Sequence, residues 1–224
     1  MYGVCYRPMS GYFYNFKVWA AQALTPAQLG FEITPTCGSA CTVCPISGQC
    51  LNALSLILYQ LDLEQNTQTI GSTGTVYQFQ LGPDASSTND PTRVPFQGLH
   101  FGAGQYVQSL DTISIPQIFA VEAYIRYDAA APSAYGGLQY IYEITRNTNY
   151  FAIALDTNYL KVMINGFEGT YYQTWAQNTG WRYIGVTVVK QFADFSSGAP
   201  VVSSLVNVFI DRTLAATFVL PSFF

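Results

Sequence analysis

Residues 118–128 read IFAVEAYIRYD, and this stretch decides the fold class. Phe119, Val121, Ala123, Ile125 and Tyr127 fall on one face of an extended chain, with Glu122 and Arg126 on the other. That alternation marks a strand laid against a core. Working outward, GLQYIYEIT (137–145) and YFAIALD (150–156) are strands joined across RNTN. YLKVMIN (159–165) ends at Asn165-Gly166, a strong signal for a two-residue hairpin, from which FEGTYYQT (167–174) returns. GWRYIGVTVVKQ (180–191) and SLVNVFID (204–211) are long strands, and a turn at Asp211–Arg212 leads into LAATFVL (214–220). Upstream, QGLHFGAGQYVQSL (97–110) makes two short strands around Gly102 and Gly104. TGTVYQFQLG (73–82) and LNALSLILYQLDLE (51–64) are further strands, and GPDASSTNDPTRVP (82–95) is a loop rich in turn formers. No long helix is expected. About ten or more short strands at this spacing give an all-β sandwich, whose edges must be closed or covered by partners.

The composition fits such a protein. Of 224 residues, 50% are apolar, 16% aromatic and only 10% charged, against a usual charged share of about a quarter. The polar surface is left to Ser, Thr, Asn, Gln and Tyr, which suits an extracellular or cell-surface β-protein or an assembly covered by its neighbours. A net charge of −4 argues against a nucleic-acid partner. No apolar window is long enough for a membrane-spanning helix. No signal-peptide pattern is visible, so secretion would need a signal outside this sequence or one already removed.

The N-terminal part is of a different kind. GYFYNFKVWAAQALTPAQLG (11–30) starts as an alternating strand, with Tyr12, Tyr14, Phe16 and Val18 set against Phe13, Asn15 and Lys17. It runs into a short helix that Thr25 caps, Pro26 opens and Gly30 stops. Residues 31–51 form a linker that carries CGSACTVCPISGQC. Cys37, Cys41, Cys44 and Cys50 are expected as two disulfides, with zinc bound by four thiolates as the rival reading. Four cysteines allow three connectivities; the interlocked one, first to third and second to fourth, is the working choice. Cys5 is left over, as a buried thiol or a partner for another chain.

The strands together resemble a family. QGLHFGAGQYVQSL followed by FAVEAYIRYD resembles the glycine-marked strand and the E-x-W-I-R strand of laminin-G-like and pentraxin-like domains, which share the concanavalin A-like jelly roll. YFAIALDTNYLKVMING resembles their central hairpins and GWRYIGVTVVKQ their W-x-x-V-A-V-T strand. LVNVFIDRTLAATF resembles the V-x-V-Y-V-D-G hairpin, with Arg212 where glycine is usual. The resemblance covers about residues 52–220. In that family the last elements are a strand G-x-I-x-x-F-x-V-W and a short A-L-T-x-x-x-I segment. Residues 52–224 lack them, whereas residues 11–29 resemble them closely. The division implied is a closing strand and short helix at 1–30, a Cys-rich linker at 31–51, and a laminin-G-like sandwich at 52–224 without its own final strand. Three arrangements satisfy it: one repeat cut from a tandem array, a strand donated to a neighbouring chain, or a strand folded back within the chain. The linker in turn resembles the furin-like Cys-rich repeats of large extracellular surface proteins of protists.

Little points to catalysis. His100 is the single histidine, on a strand among aromatics, so any triad would have one possible base. Glu122, Glu143 and Glu168 stand on different strands, unlike the carboxylate pairs of glycosidases. The resemblance implies a calcium ion near a sheet rim, for which Asp128, Asp156 and Asp194 are the candidates, with solvated turn aspartates as the competing reading. The aromatics Tyr171, Tyr172, Tyr140, Tyr142 and Trp175 are candidates for stacking on sugars, with core packing as the competing reading. There is no N-x-[ST] sequon; Ser/Thr-linked sugars have room on SSTNDPT and FSSGAP. The expectation is a non-catalytic structural or adhesive module, binding copies of itself or adjacent modules of the same polypeptide in a filament or surface layer. The alternative is a lectin-like module for glycans or protein ligands.

Overall fold

A computed structural model describes residues 11–20, 57–61, 68–70, 76–82, 84, 86, 90–94, 98–102, 104–113, 116–127, 138–146, 149–156, 159–172, 180–192 and 202–222. Among these residues the chain is all β, without helix, and its sheets pack together as in a β-sandwich. The short helix expected after Ala20, the linker at 31–51 and all five cysteines lie outside the described residues.

The strands run in chain order as β1 (Gly11–Ala20), β2 (Ile57–Leu61), β3 (Gln68–Ile70), β4 (Val76–Leu81), β5 (Thr92–Val94), β6 (Gly98–Phe101), β7 (Val107–Ser109), β8 (Ile118–Tyr127), β9 (Gln139–Arg146), β10 (Asn149–Leu155), β11 (Tyr159–Ile164), β12 (Phe167–Tyr172), β13 (Arg182–Phe192), β14 (Val202–Ile210) and β15 (Thr213–Pro221). The largest sheet has the order β15-β14-β13-β8-β1-β6-β5, with β2 also paired to β1. A second sheet has the order β12-β11-β10-β9, and a small third one β3-β4-β7. Among the described residues every ladder is antiparallel, so tight turns suffice where consecutive strands are neighbours.

Two such turns show how residue choice sets the path. Between β11 and β12, Asn165 and Gly166 both have positive φ, at 50° and 84°, as a type I′ turn requires. The Asn165 carboxamide braces it: the amide of Tyr150 donates to Asn165 Oδ1 at 2.7 Å, and Asn165 Nδ2 donates to the carbonyl of Ser222 at 2.9 Å. Between β14 and β15 the same geometry falls on Asp211 and Arg212, with φ of 49° and 68°. Arginine is poorly suited to the left-handed region, and its contacts, described below, compensate.

One apolar core joins the sheets. Phe119, Val121, Ala123, Ile125 and Tyr127 of β8 are all buried, on the face expected from alternation. Phe119 meets Phe151 of β10 edge to face at 5.1 Å, and Phe16 of β1 meets Tyr142 of β9 at 5.5 Å. Each fully buried side chain of this size contributes about 1.5–3 kcal/mol relative to exposure. Where β12 and β15 face each other, the Phe218 ring covers Gly169, and a Cβ there would lie 2.4 Å from the ring. Two elements depart from expectation. β3 is an additional strand, and the 82–95 loop contains the short edge strand β5, which pairs with β6. Both are three-residue strands, too short for alternation to register.

Candidate functional site: the seat of the first strand

Strand β1 does not lie at an edge. It pairs with β8 on one side; on the other, Gly11–Phe13 pair with β6 and Phe16–Trp19 with β2. Within this chain, the strand that resembles a closing element therefore fills an interior position of the largest sheet. The side chains of Phe16 and Val18 belong to the core and are 5% and 0% exposed. The simple alternation expected for β1 is interrupted. Its register with β8 shifts between Tyr14 and Lys17, the signature of a bulge, which inserts a residue and changes the phase of the strand. Tyr12 and Tyr14 are thereby opposite Arg126 and Tyr124, whereas Val18 is opposite Val121. The four positions expected on one face thus divide into two pairs.

The other face of β8 holds the feature that alternation alone did not predict. Glu122, read from sequence as part of the polar face, is 2% exposed. The neighbouring position on β13 is Gly185, and the absence of a side chain there lets the Tyr183 ring fold across. A Cβ on Gly185 would come within 2.8 Å of the Tyr183 hydroxyl. That hydroxyl donates to Glu122 Oε2 at 2.7 Å. Burial, reinforced by the Glu122 charge and this bond, pushes the ionisation of Tyr183 far above the usual phenol range, so the hydroxyl remains a donor. Tyr124 packs edge-on against Tyr183 at 5.3 Å, and Arg212 Nη2 donates to the Tyr124 hydroxyl at 2.7 Å. Asp211 completes the group. It accepts from the Tyr183 amide at 3.1 Å and pairs with Arg182 at 2.8 Å. That ion pair is partly exposed, its side chains 35% and 51% accessible, and adds little stability. The sequence clue to a buried Glu122 was its setting among apolar neighbours, Val121, Ala123 and Tyr124, within a long strand.

The other predicted residues are dispersed. On the outer face of β11 and β12, Tyr159 and Tyr172 meet edge to face at 5.6 Å, Lys161 lies 5.3 Å from the centre of the Tyr159 ring, and Lys161 pairs with Glu168 at 3.0 Å. Tyr172 is 76% exposed, Tyr171 packs partly against the core, and Tyr142 is inside it. Tyr140 is half-buried on β9, and Trp175 lies outside the described residues. Glu143 is on β9 opposite Ala152, remote in the ladder from Glu168 on β12. His100 is half-buried on β6, opposite Tyr12 and Thr92. Asp156 follows β10, while Asp128 and Asp194 lie outside the described residues, as do Cys37, Cys41, Cys44 and Cys50. Among the described residues no three potential ligands cluster as a metal site, and no helix is long and apolar enough to cross a membrane.

Comparison with known proteins finds no matching family model, no matching curated protein and no matching solved structure.

Proposed function

We propose that the chain is a non-catalytic structural or adhesive module of a larger extracellular protein, built on a laminin-G-like jelly roll and assembling with copies of itself through β1. One observation carries the reading: a strand near the N-terminus, joined to the rest only through residues 21–56, occupies the interior of the largest sheet. Removing it would expose two sets of backbone donors and acceptors and the core around Phe16 and Val18. Any chain that releases its own β1 must therefore take up another, and a connection of this length makes the choice between own and neighbouring seat entropically inexpensive. Reciprocal exchange closes a dimer; head-to-tail exchange gives an open polymer.

Further support comes from the small charged share, from the Cys-rich segment, whose cysteines we assign to disulfides in an oxidising compartment, and from the strand motifs that resemble laminin-G-like domains. Electron microscopy of the native source material and of the purified chain at rising concentration tests it. A polymer whose regular axial repeat matches one copy of this unit is expected; compact, separate particles at all concentrations reject it. A second reading, a lectin-like module, is favoured by the exposed Tyr172, packed against the half-buried Tyr159, beside Lys161 and Glu168. Aromatic faces flanked by charged hydrogen-bonding groups suit sugars, and a screen of the monomer against immobilised glycans would show binding that Tyr172→Ala abolishes.

A further inference from the structure

At the centre of the seat that receives β1 stands a buried carboxylate. Glu122 is flanked on the β13 side by Gly185, with the Tyr183 ring laid over it. On the opposite side, the residue directly across the ladder is Lys17 of β1. A carboxylate this far removed from water needs more than a neutral donor; buried charges are stable when paired with opposite ones. Lys17 is the single charged residue of GYFYNFKVWA. A slip of β1 by one residue would bring Phe16 or Val18 opposite Glu122, and a slip by two Asn15 or Trp19, none of them a cation. Opposite charges directly across an antiparallel pair attract, and a mismatch at a desolvated position is penalised strongly. We infer that Glu122 is the recognition element of the seat: it selects, in correct register, the β1 strand of a second copy of this chain through Lys17. This inference rests on the strand-exchange reading above.

The chemistry gives a reciprocal test. Lys17→Glu and Glu122→Lys are made in separate full-length chains. Within either chain alone, strand and seat then carry the same charge, Glu with Glu or Lys with Lys. When the two chains are unfolded, mixed and refolded together, each strand matches the other chain's seat. The Tyr183 hydroxyl serves either form, since it accepts as well as donates. Sedimentation velocity and thermal unfolding are followed for the wild type, each variant, the mixture and the double variant. The expected result is that each variant alone assembles roughly 10²–10³-fold less readily. The co-refolded mixture, and the chain carrying both substitutions, return toward the wild type. If a single variant does not fold alone, its recovery in the mixture is the reading, and failure to recover overturns the inference. Single variants that assemble like the wild type, or a mixture no better than its components, overturn the role of Glu122 and leave strand exchange standing. A wild type that stays monomeric at every concentration overturns exchange itself and with it the second-copy partner.

Discussion

Replacing Gly169 with alanine tests how the two larger sheets are closed. Gly169 lies on β12 with the Phe218 ring of β15 against its backbone; an added Cβ would sit 2.4, 2.5 and 2.9 Å from three ring atoms, where ordinary contact begins at 3.4 Å. The backbone at Gly169 has no positive φ, so alanine meets no conformational penalty. Without the ring, the substitution should stabilise the protein by about 0.4–1 kcal/mol by restricting the unfolded chain. With the ring in place it is an overpacking change, and three overlapping atoms put it in the upper part of that range, about 2–3 kcal/mol destabilising. For a chain of this size that lowers Tm by about 4–12 °C. Calorimetry of Gly169→Ala, Phe218→Leu and the double variant measures the effect. The double variant should recover most of the loss, with a coupling of about 1 kcal/mol or more. A Gly169→Ala protein as stable as the wild type, or more so, would refute the packing of β15 across β12.

Phe16→Ala should cost about 3–5 kcal/mol, because it removes the ring that links β1 to Tyr142 in the second sheet; chemical denaturation reads it directly. Tyr183→Phe leaves Glu122 buried without its hydroxyl donor and should cost about 1.5–3 kcal/mol near neutral pH. The pH dependence has a definite sign. Folding raises the ionisation of Tyr183 above its ordinary value of 10.0, so its contribution is complete below pH 10 and fades as pH rises beyond it. The wild type should lose stability above pH 10, and Tyr183→Phe should lose it less steeply. Asn165→Ala should cost about 1–2 kcal/mol, through two side-chain bonds and a left-handed position that asparagine tolerates, with Asn165→Gly recovering the backbone part alone.

Much of the sheet structure was legible because it is written in period two. Strands β8 to β15 each carry enough alternating residues to stand out, and Asn165-Gly166 fixed one turn by its conformational demand. The short strands β3 and β5 were hidden, since three residues make no pattern. Pairing partners were harder. Alternation shows which residues share a face but says nothing of neighbours far away in sequence, so the place of β1 between β8 and the β2–β6 side could be posed only as a choice among arrangements. The bulge in β1 was invisible for a related reason: it is defined against a partner strand. Alternation set Glu122 on the face away from the core, and its burial there was not legible because it depends on Gly185, where a missing side chain in another strand makes room for Tyr183.

The most direct measurement of the central claim is photo-cross-linking between isotopically light and heavy chains, with a photoreactive phenylalanine in place of Tyr12, opposite Arg126 of β8 and His100 of β6. The two forms are unfolded together, refolded and assembled, then irradiated and digested, and the linked peptides are weighed. Strand exchange predicts peptides in which a light β1 is joined to a heavy β8 or β6, and the reverse, in the assembled fraction. Links confined to light with light and heavy with heavy would contradict it and leave β1 as a strand that serves only its own chain.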